Sequence, residues 1–212
     1  MVKLVVFDMD GVLVDIESSW VHVHRHFGVN NEQSLESYLR GEIDDMEFIR
    51  RDVALWMDKD PALTVDDVKS ILSTAPLMKG ARRTTASLRS RGIRTAIISA
   101  GIDLLAERVA IDLGMDSFYA NGFVIDGSGR LTGEGVLNVR LDQKGEKVRM
   151  IADLFGFDGE EVASIGNSRY DVPMFDAAGL GIAFCPEDDE TRDSADKVVD
   201  ERDLSRILDF IH

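Results

Sequence analysis

The chain predicts an α/β fold: a doubly wound core with a mostly parallel sheet, into which a bundle of helices is inserted. Short apolar runs recur along its 212 residues with no polar residue at alternate positions, as in strands covered on both faces. Helical patterns that end in glycine separate those runs. One long stretch near the N-terminus holds helical patterns and no strand.

Residues 3–7 form the first apolar strand. Residues 16–76 then read as helix throughout, with amphipathic segments at roughly 17–27, 31–40, 44–57 and 64–73 and breaks at Pro61 and Pro76. ARRTTASLRSRG carries the next helix to its stop at Gly92, and RTAIIS (94–99) is the second strand. LLAERVAIDLG is a helix stopped by Gly114. Residues 118–139 hold DGSGRLTGEG between β-rich runs and read as a hairpin. GEKVRMIADLFG is a helix stopped by Gly156, and VASIG (162–166), LGIAF (180–184) and KVV (197–199) complete the strands. The division that follows is a core of residues 1–15 and 77–212 and a helical cap of residues 16–76.

Hydrophobic residues make up 44% of the chain, enough for a buried core, and no apolar run reaches a membrane span. MVKLVVFDMD meets acids too early for a signal peptide. The single Cys185 excludes an internal disulfide framework and suits a reducing compartment. A soluble cytoplasmic protein, monomer or homodimer, is expected. The net charge of −15 opposes non-specific binding to nucleic acid or anionic membranes. It also means that an anionic ligand would need a bound cation and a few placed basic groups.

The chemistry concentrates at strand ends. In FDMDGVLVD, Asp8 and Asp10 are two residues apart, so in extended chain they project the same way. They leave the carboxyl end of the first strand, where open α/β sheets bind ligands. Gly11 follows and permits a tight turn and a close approach. RTAIIS ends in Ser99, Ala100 and Gly101 before a helix, a pattern that offers a hydroxyl and free N–H groups to an anion. VASIG runs into Asn167 and Asp171, and Lys144 opens the helix leading into that strand. Two carboxylates, a hydroxyl, an ammonium, an amide and a further acid thus meet at one edge.

D-x-D-G-x-L-V-D, the apolar run ending in Ser99, the later Lys144 and G-N-x-x-x-D resemble the four motifs of the haloacid dehalogenase superfamily of phosphohydrolases. The helical insert directly after the first motif, Glu17, KGE at 144–146 and MFDAAGLGIAFCP resemble its phosphoserine phosphatase branch. The resemblance implies a Rossmann-like core under a helical-bundle cap and a small phosphorylated metabolite as substrate. It implies Asp8 as nucleophile and Asp10 as general acid and base. The cofactor implied is Mg2+, bound by the Asp8 carboxylate, the Asp10 backbone carbonyl and Asn167, with Asp171 orienting a metal-bound water. Ser99, the N–H of Ala100 or Gly101, and Lys144 would hold the phosphoryl oxygens, with Lys147 the alternative lysine.

Two positions depart from the family pattern. Asn167 stands where the family usually has an acid. The branch pairs the substrate ammonium with an acid, matched here by Glu17, and reads the substrate carboxylate with a cap arginine. That arginine position falls on Asp52, beside Arg50 and Arg51, either of which a small register shift would let serve. Phosphoserine is therefore the leading substrate, with a phosphoglycolate or sugar phosphate as the alternative. A catalytically weak phospholigand-binding relative is the alternative outside the enzymes. His22, His24 and His26 lack a companion ligand cluster and read as cap packing or surface.

Overall fold

The computed structural model describes residues 1–212. Its seven strands are β1 (Leu4–Phe7), β2 (Arg94–Ile102), β3 (Ser117–Ile125), β4 (Leu131–Val136), β5 (Val162–Gly166), β6 (Leu180–Phe184) and β7 (Lys197–Val199). They form one sheet in the order β4-β3-β2-β1-β5-β6-β7, in which only the β3–β4 pair is antiparallel. The nine helices are α1 (Ser19–Phe27), α2 (Glu32–Leu39), α3 (Asp45–Met57), α4 (Val65–Leu72), α5 (Ala81–Ser90), α6 (Asp103–Leu113), α7 (Lys144–Phe155), α8 (Val172–Asp176) and α9 (Asp189–Ser194). No helix is long and apolar enough to cross a membrane.

The unbroken apolar strands make sense from the two layers that cover them. Leu4 and Val6 of β1 pack with Val148 and Ile151 of α7 on one face. Val5 and Phe7 join Leu88 of α5 and Leu105 of α6 on the other. Because successive side chains alternate faces, every residue of LVVF is buried. The chain winds outward from β1 to one side through β2 and β3, then returns to β5 and continues to the other. β1 is thus the switch point of the sheet, where a crevice opens beyond the carboxyl ends of the strands.

Between β1 and α5 lie α1 to α4 and no strand. α3 starts where Asp44 accepts the N–H of Glu47 at 2.8 Å, and α4 starts in a capping box of Thr64 and Asp67. The insert shares one apolar core with the sheet: Val23, Val53, Trp56 and Val68 belong to the same buried cluster as Val5 and Phe7. The β3–β4 hairpin supports it from the side. Leu131 N–H donates to the Leu63 carbonyl at 3.1 Å, and Val65 N–H to the Gly129 carbonyl at 2.9 Å. Trp20 stacks on Trp56 with ring centroids 5.6 Å apart, and its Nε1–H donates to the Ala100 carbonyl at 3.0 Å. The helices are therefore held over the strand ends from two directions.

Candidate active site

Sheet register brings the motif residues to one edge. Phe7 of β1 is level with Ile97 of β2 and Ile165 of β5. Asp8 therefore lies one residue beyond a shared row, and Ser99 and Asn167 lie two beyond it. α7 supplies the lysine from behind. Its second residue is Gly145, where an added Cβ would lie 2.2 Å from the Pro173 carbonyl oxygen. Only glycine lets this helix end press against α8, and that contact seats Lys144 in the interior at 3% exposure.

Lys144 Nζ bridges two buried carboxylates, donating to Asp8 Oδ1 at 2.9 Å and to Asp171 Oδ1 at 2.6 Å. Burial opposes the ammonium charge, but Asp171 and Asp8 outweigh it and hold Lys144 above its usual range. Burial pushes the Asp8 carboxyl up to about 7; Lys144 pulls it back, while Asp171 and Asp10 add to the rise. Asp171 also accepts the N–H groups of Asn167 at 2.9 Å and Ser168 at 3.1 Å through Oδ2, which shapes the loop after β5. Asp8 Oδ2 receives no protein hydrogen bond and is left for chemistry. Lys147, the alternative lysine, instead lies over the Tyr119 ring at 5.5 Å.

Asp10 is held by the start of α1. Ser19 N–H and Ser19 Oγ–H both donate to Asp10 Oδ2 at 2.8 Å, and Ser19 Oγ in turn accepts Ile102 N–H at 2.9 Å. Burial pushes the Asp10 carboxyl up to about 6, against the pull of the Ser19 bonds and of Lys144. Its other oxygen, Oδ1, is enclosed and unpartnered.

Gly11 and Asn167 meet face to face. Gly11 has φ +76°, and an added Cβ would lie 2.3 Å from Asn167 Nδ2. The Asn167 amide is turned by Glu187, whose Oε1 accepts Nδ2–H at 3.0 Å. An ionised carboxylate can only accept, so the amide nitrogen faces Glu187 and Oδ1 remains free to accept or coordinate. Burial pushes Glu187 up, and Asp171 and Glu17 add to that.

These residues fit a hard divalent cation. Asp8, Asp10 and Asp171 gather around a single buried ammonium, an excess of negative charge that burial makes costly. The available donors are oxygens: the Asp8 carboxylate, Asn167 Oδ1 and backbone carbonyls. No group of three or more His, Cys, Asp or Glu side chains forms a self-contained metal cage. Mg2+ is characteristically bound by one or two carboxylates with waters and a substrate phosphate.

The Ser99 segment differs from expectation in one respect. β2 does not stop at Ser99 but continues to Ile102, which pairs with Asn121 of β3, and α6 starts only at Asp103. Ser99, Ala100 and Gly101 thus line the site as extended chain, not as a helix start. Ser99 Oγ already accepts Gly101 N–H at 3.0 Å. The Ala100 carbonyl is fixed by Trp20 and by Asn121 Nδ2 at 3.3 Å.

A cavity of about 450 Å³ joins Asp8, Asp10, Ser99, Ala100, Gly101, Lys144 and Asn167 to the underside of α1, α2 and α3. Asp171 is buried beneath it at 0% exposure. Glu17 is on its wall but exposed and ion-paired with Arg25. The arginines beside the expected anchor position turn away: Arg50 pairs with Glu134 at 2.8 Å and Arg51 with Glu47 at 3.0 Å. Asp52 faces the cavity instead, buried and accepting Asn31 Nδ2–H at 3.0 Å. His24 backs it. Trp56 Nε1–H donates to His24 Nδ1 at 2.6 Å, which places the ring proton on Nε2, 3.5 Å from Asp52 Oδ1. His22 bonds Thr74 Oγ1 at 2.9 Å and His26 packs on Phe27, so the three histidines do not converge.

Sequence reasoning missed Ser19 and Glu187. Ser19 had a signal in the two serines opening an amphipathic helix shortly after the carboxylate pair. Glu187 had none, because it reaches Asn167 from another loop 20 residues on.

The comparisons agree with this geometry. The family model of haloacid dehalogenase-like hydrolases matches residues 5–176. A phosphoserine phosphatase of Methanocaldococcus jannaschii is 31% identical over 99% of this chain and 97% of its own length. One of Wolinella succinogenes is 30% identical over 97% and 98%. Among solved structures, a phospho-aspartyl intermediate analogue of phosphoserine phosphatase superposes with a TM-score of 0.84 at 29% identity, covering 100% of this chain and 99% of that one. A substrate-bound phosphoserine phosphatase complex gives a TM-score of 0.84 at 28% identity over 100% and 99%. Motif order, sheet register and full-length similarity together make the chain a member of the haloacid dehalogenase-like hydrolase family.

Proposed function

We propose that the protein is a Mg2+-dependent phosphomonoester hydrolase that works through an aspartyl-phosphate on Asp8, with phosphoserine as the leading substrate. The observation that carries this reading is the Asp8 carboxylate. One oxygen is held by Lys144, the other is free, and Asp10 stands beside it with a carboxyl near neutrality.

Asp8 Oδ2 attacks phosphorus and forms the acyl-phosphate bond, while the bond from phosphorus to the alcohol oxygen breaks. Asp10 gives its proton to that leaving oxygen. In the second step Asp10 takes a proton from water, which attacks phosphorus and releases inorganic phosphate and free Asp8. A carboxyl titrating at about 6 can both give and take a proton near neutral pH. Lys144 and Ser99 would hold phosphoryl oxygens as charge shifts onto them. Asp8 and Asn167, with the Asp10 carbonyl, would hold the Mg2+, and Asp171 would steady Lys144 and the loop carrying Asn167. The bound Mg2+ would supply positive charge that favours ionised Asp8 and neutralises phosphoryl oxygens. The helices over the cavity, treated as a cap of residues 16–76, would exclude bulk water and limit substrate size.

The named relatives support phosphoserine, and Glu17, an acid on the cavity wall, would meet its ammonium by exchanging Arg25 for it. The test is Asp8→Asn, which keeps shape but replaces a nucleophile with an amide. Turnover of phosphoserine and of p-nitrophenyl phosphate should be lost with the circular dichroism unchanged. Near-normal turnover would remove the mechanism.

A further inference from the structure

The cavity wall away from the reacting edge is acidic. Asp45 and Asp52 line it, with Glu17 at its rim paired to Arg25, and Arg169 is the only guanidinium on the lining. Arg169 is turned to its neighbour: its Nη2–H donates to the Tyr170 hydroxyl at 3.0 Å and its Cζ lies 5.0 Å from the centre of that ring. It is also exposed, on the loop after β5. Asp52 is 2% exposed and takes the place where a carboxylate-reading arginine is expected. Asp45 accepts Leu141 N–H at 3.0 Å and the Tyr38 hydroxyl at 3.2 Å through Oδ1 alone, so Oδ2 stays free. Its negative charge has no cationic partner within salt-bridge distance. Trp20 and Phe48 add aromatic rings to the same cavity, surfaces that attract alkylammonium groups.

A substrate tail entering here meets acceptors and π faces. A tail carboxylate meets no buried guanidinium and enters the field of Asp45 and Asp52. A tail ammonium gains from both. Resting on the phosphomonoesterase reading, we propose that this wall recognises an ammonium and not a carboxylate. The site then has a further activity: it hydrolyses amino-alcohol phosphates that lack a carboxylate, O-phosphoethanolamine being the simplest, at least as well as phosphoserine.

Where an arginine anchors a substrate carboxylate, deleting that carboxylate costs about thirtyfold or more. Here the deletion should cost nothing. The experiment compares kcat/KM for O-phosphoethanolamine, phosphoserine and glycerol 3-phosphate, with p-nitrophenyl phosphate as a reference ester. The expected result is O-phosphoethanolamine equal to or above phosphoserine and at least about tenfold above glycerol 3-phosphate, a difference of about 1.4 kcal/mol. Asp52→Arg should move the preference toward phosphoserine, and Asp45→Asn should lower the O-phosphoethanolamine value relative to glycerol 3-phosphate. Phosphoserine at least about tenfold above O-phosphoethanolamine would overturn the proposal. So would equal values for the amine and the glycerol ester, or a selective loss of phosphoserine turnover in Arg169→Ala. Binding of the same three esters to Asp8→Asn, read by tryptophan fluorescence or calorimetry, gives the ranking without turnover. Loss of all turnover with that binding order kept would sink the hydrolase reading and leave the tail preference standing; a reversed binding order would sink the preference alone.

Discussion

Replacing Lys144 with methionine keeps most of its length and removes its charge. In the folded protein Nζ is 2.6 Å from Asp171 and 2.9 Å from Asp8, and all three side chains are buried. At an effective dielectric of about 20, each contact is an attraction of about 6 kcal/mol. Desolvation of the three ions offsets most of that, and breaking such a buried set by deleting one partner costs about 3–5 kcal/mol. The loss must depend on pH. The Asp8 carboxyl already titrates at about 7, above its ordinary 3.8, so it costs the fold stability that mounts as pH rises past 3.8 and is complete above pH 7. Without Lys144 that value rises further. Urea unfolding in EDTA should therefore show Lys144→Met destabilised by about 3–5 kcal/mol at pH 8 and by less at pH 5. Mg2+ should restore part of the loss at pH 8 by returning positive charge to the same carboxylates. A loss under about 1 kcal/mol at pH 8, or an equal loss at both pH values, would refute the argument that Lys144 neutralises this cluster.

Asn167→Asp would put a second carboxylate 3.0 Å from Glu187, a repulsion of about 1–2 kcal/mol because Glu187, though partly enclosed on the Asn167 side, is open to screening by solvent. Metal-free Asn167→Asp should be less stable than the parent, and Glu187→Gln in that background should recover it. Half-saturating Mg2+, from calorimetry or activity, should rise in the order Asp, Asn, Ala at position 167; identical values would mean that Asn167 does not touch the metal. Gly11→Ala would force a side chain to φ +76° and into Asn167, costing about 1–2 kcal/mol in backbone strain alone. Thermal unfolding and the Mg2+ titration should both worsen, and an unchanged Mg2+ requirement would separate Gly11 from the metal site.

What the sequence determined by itself was the local part. Unbroken apolar runs such as LVVF dictate strands covered on both faces, and glycine-stopped amphipathic runs dictate the helices between them. The pair Asp8 and Asp10 was legible because two residues in extended chain share a direction. The insert was legible as helix because caps such as Asp44 and Thr64 act within three or four residues. Tertiary structure decided the rest, because those contacts join distant segments. Nothing local links Ser19 to Ile102, Glu187 to Asn167, or Lys144 to Asp8, separations of 83, 20 and 136 residues. Sheet register also carried β2 past Ser99 to Ile102, a pairing with Asn121 that no pattern within RTAIIS displays. Arg50, Arg51 and Asp52 show the limit most plainly. Neighbours on a helix differ by about 100° in direction, so an uncertainty of one residue decides which of them faces the substrate. Packing of α3 against the hairpin and the sheet settled it, turning Arg50 to Glu134, Arg51 to Glu47 and Asp52 into the cavity.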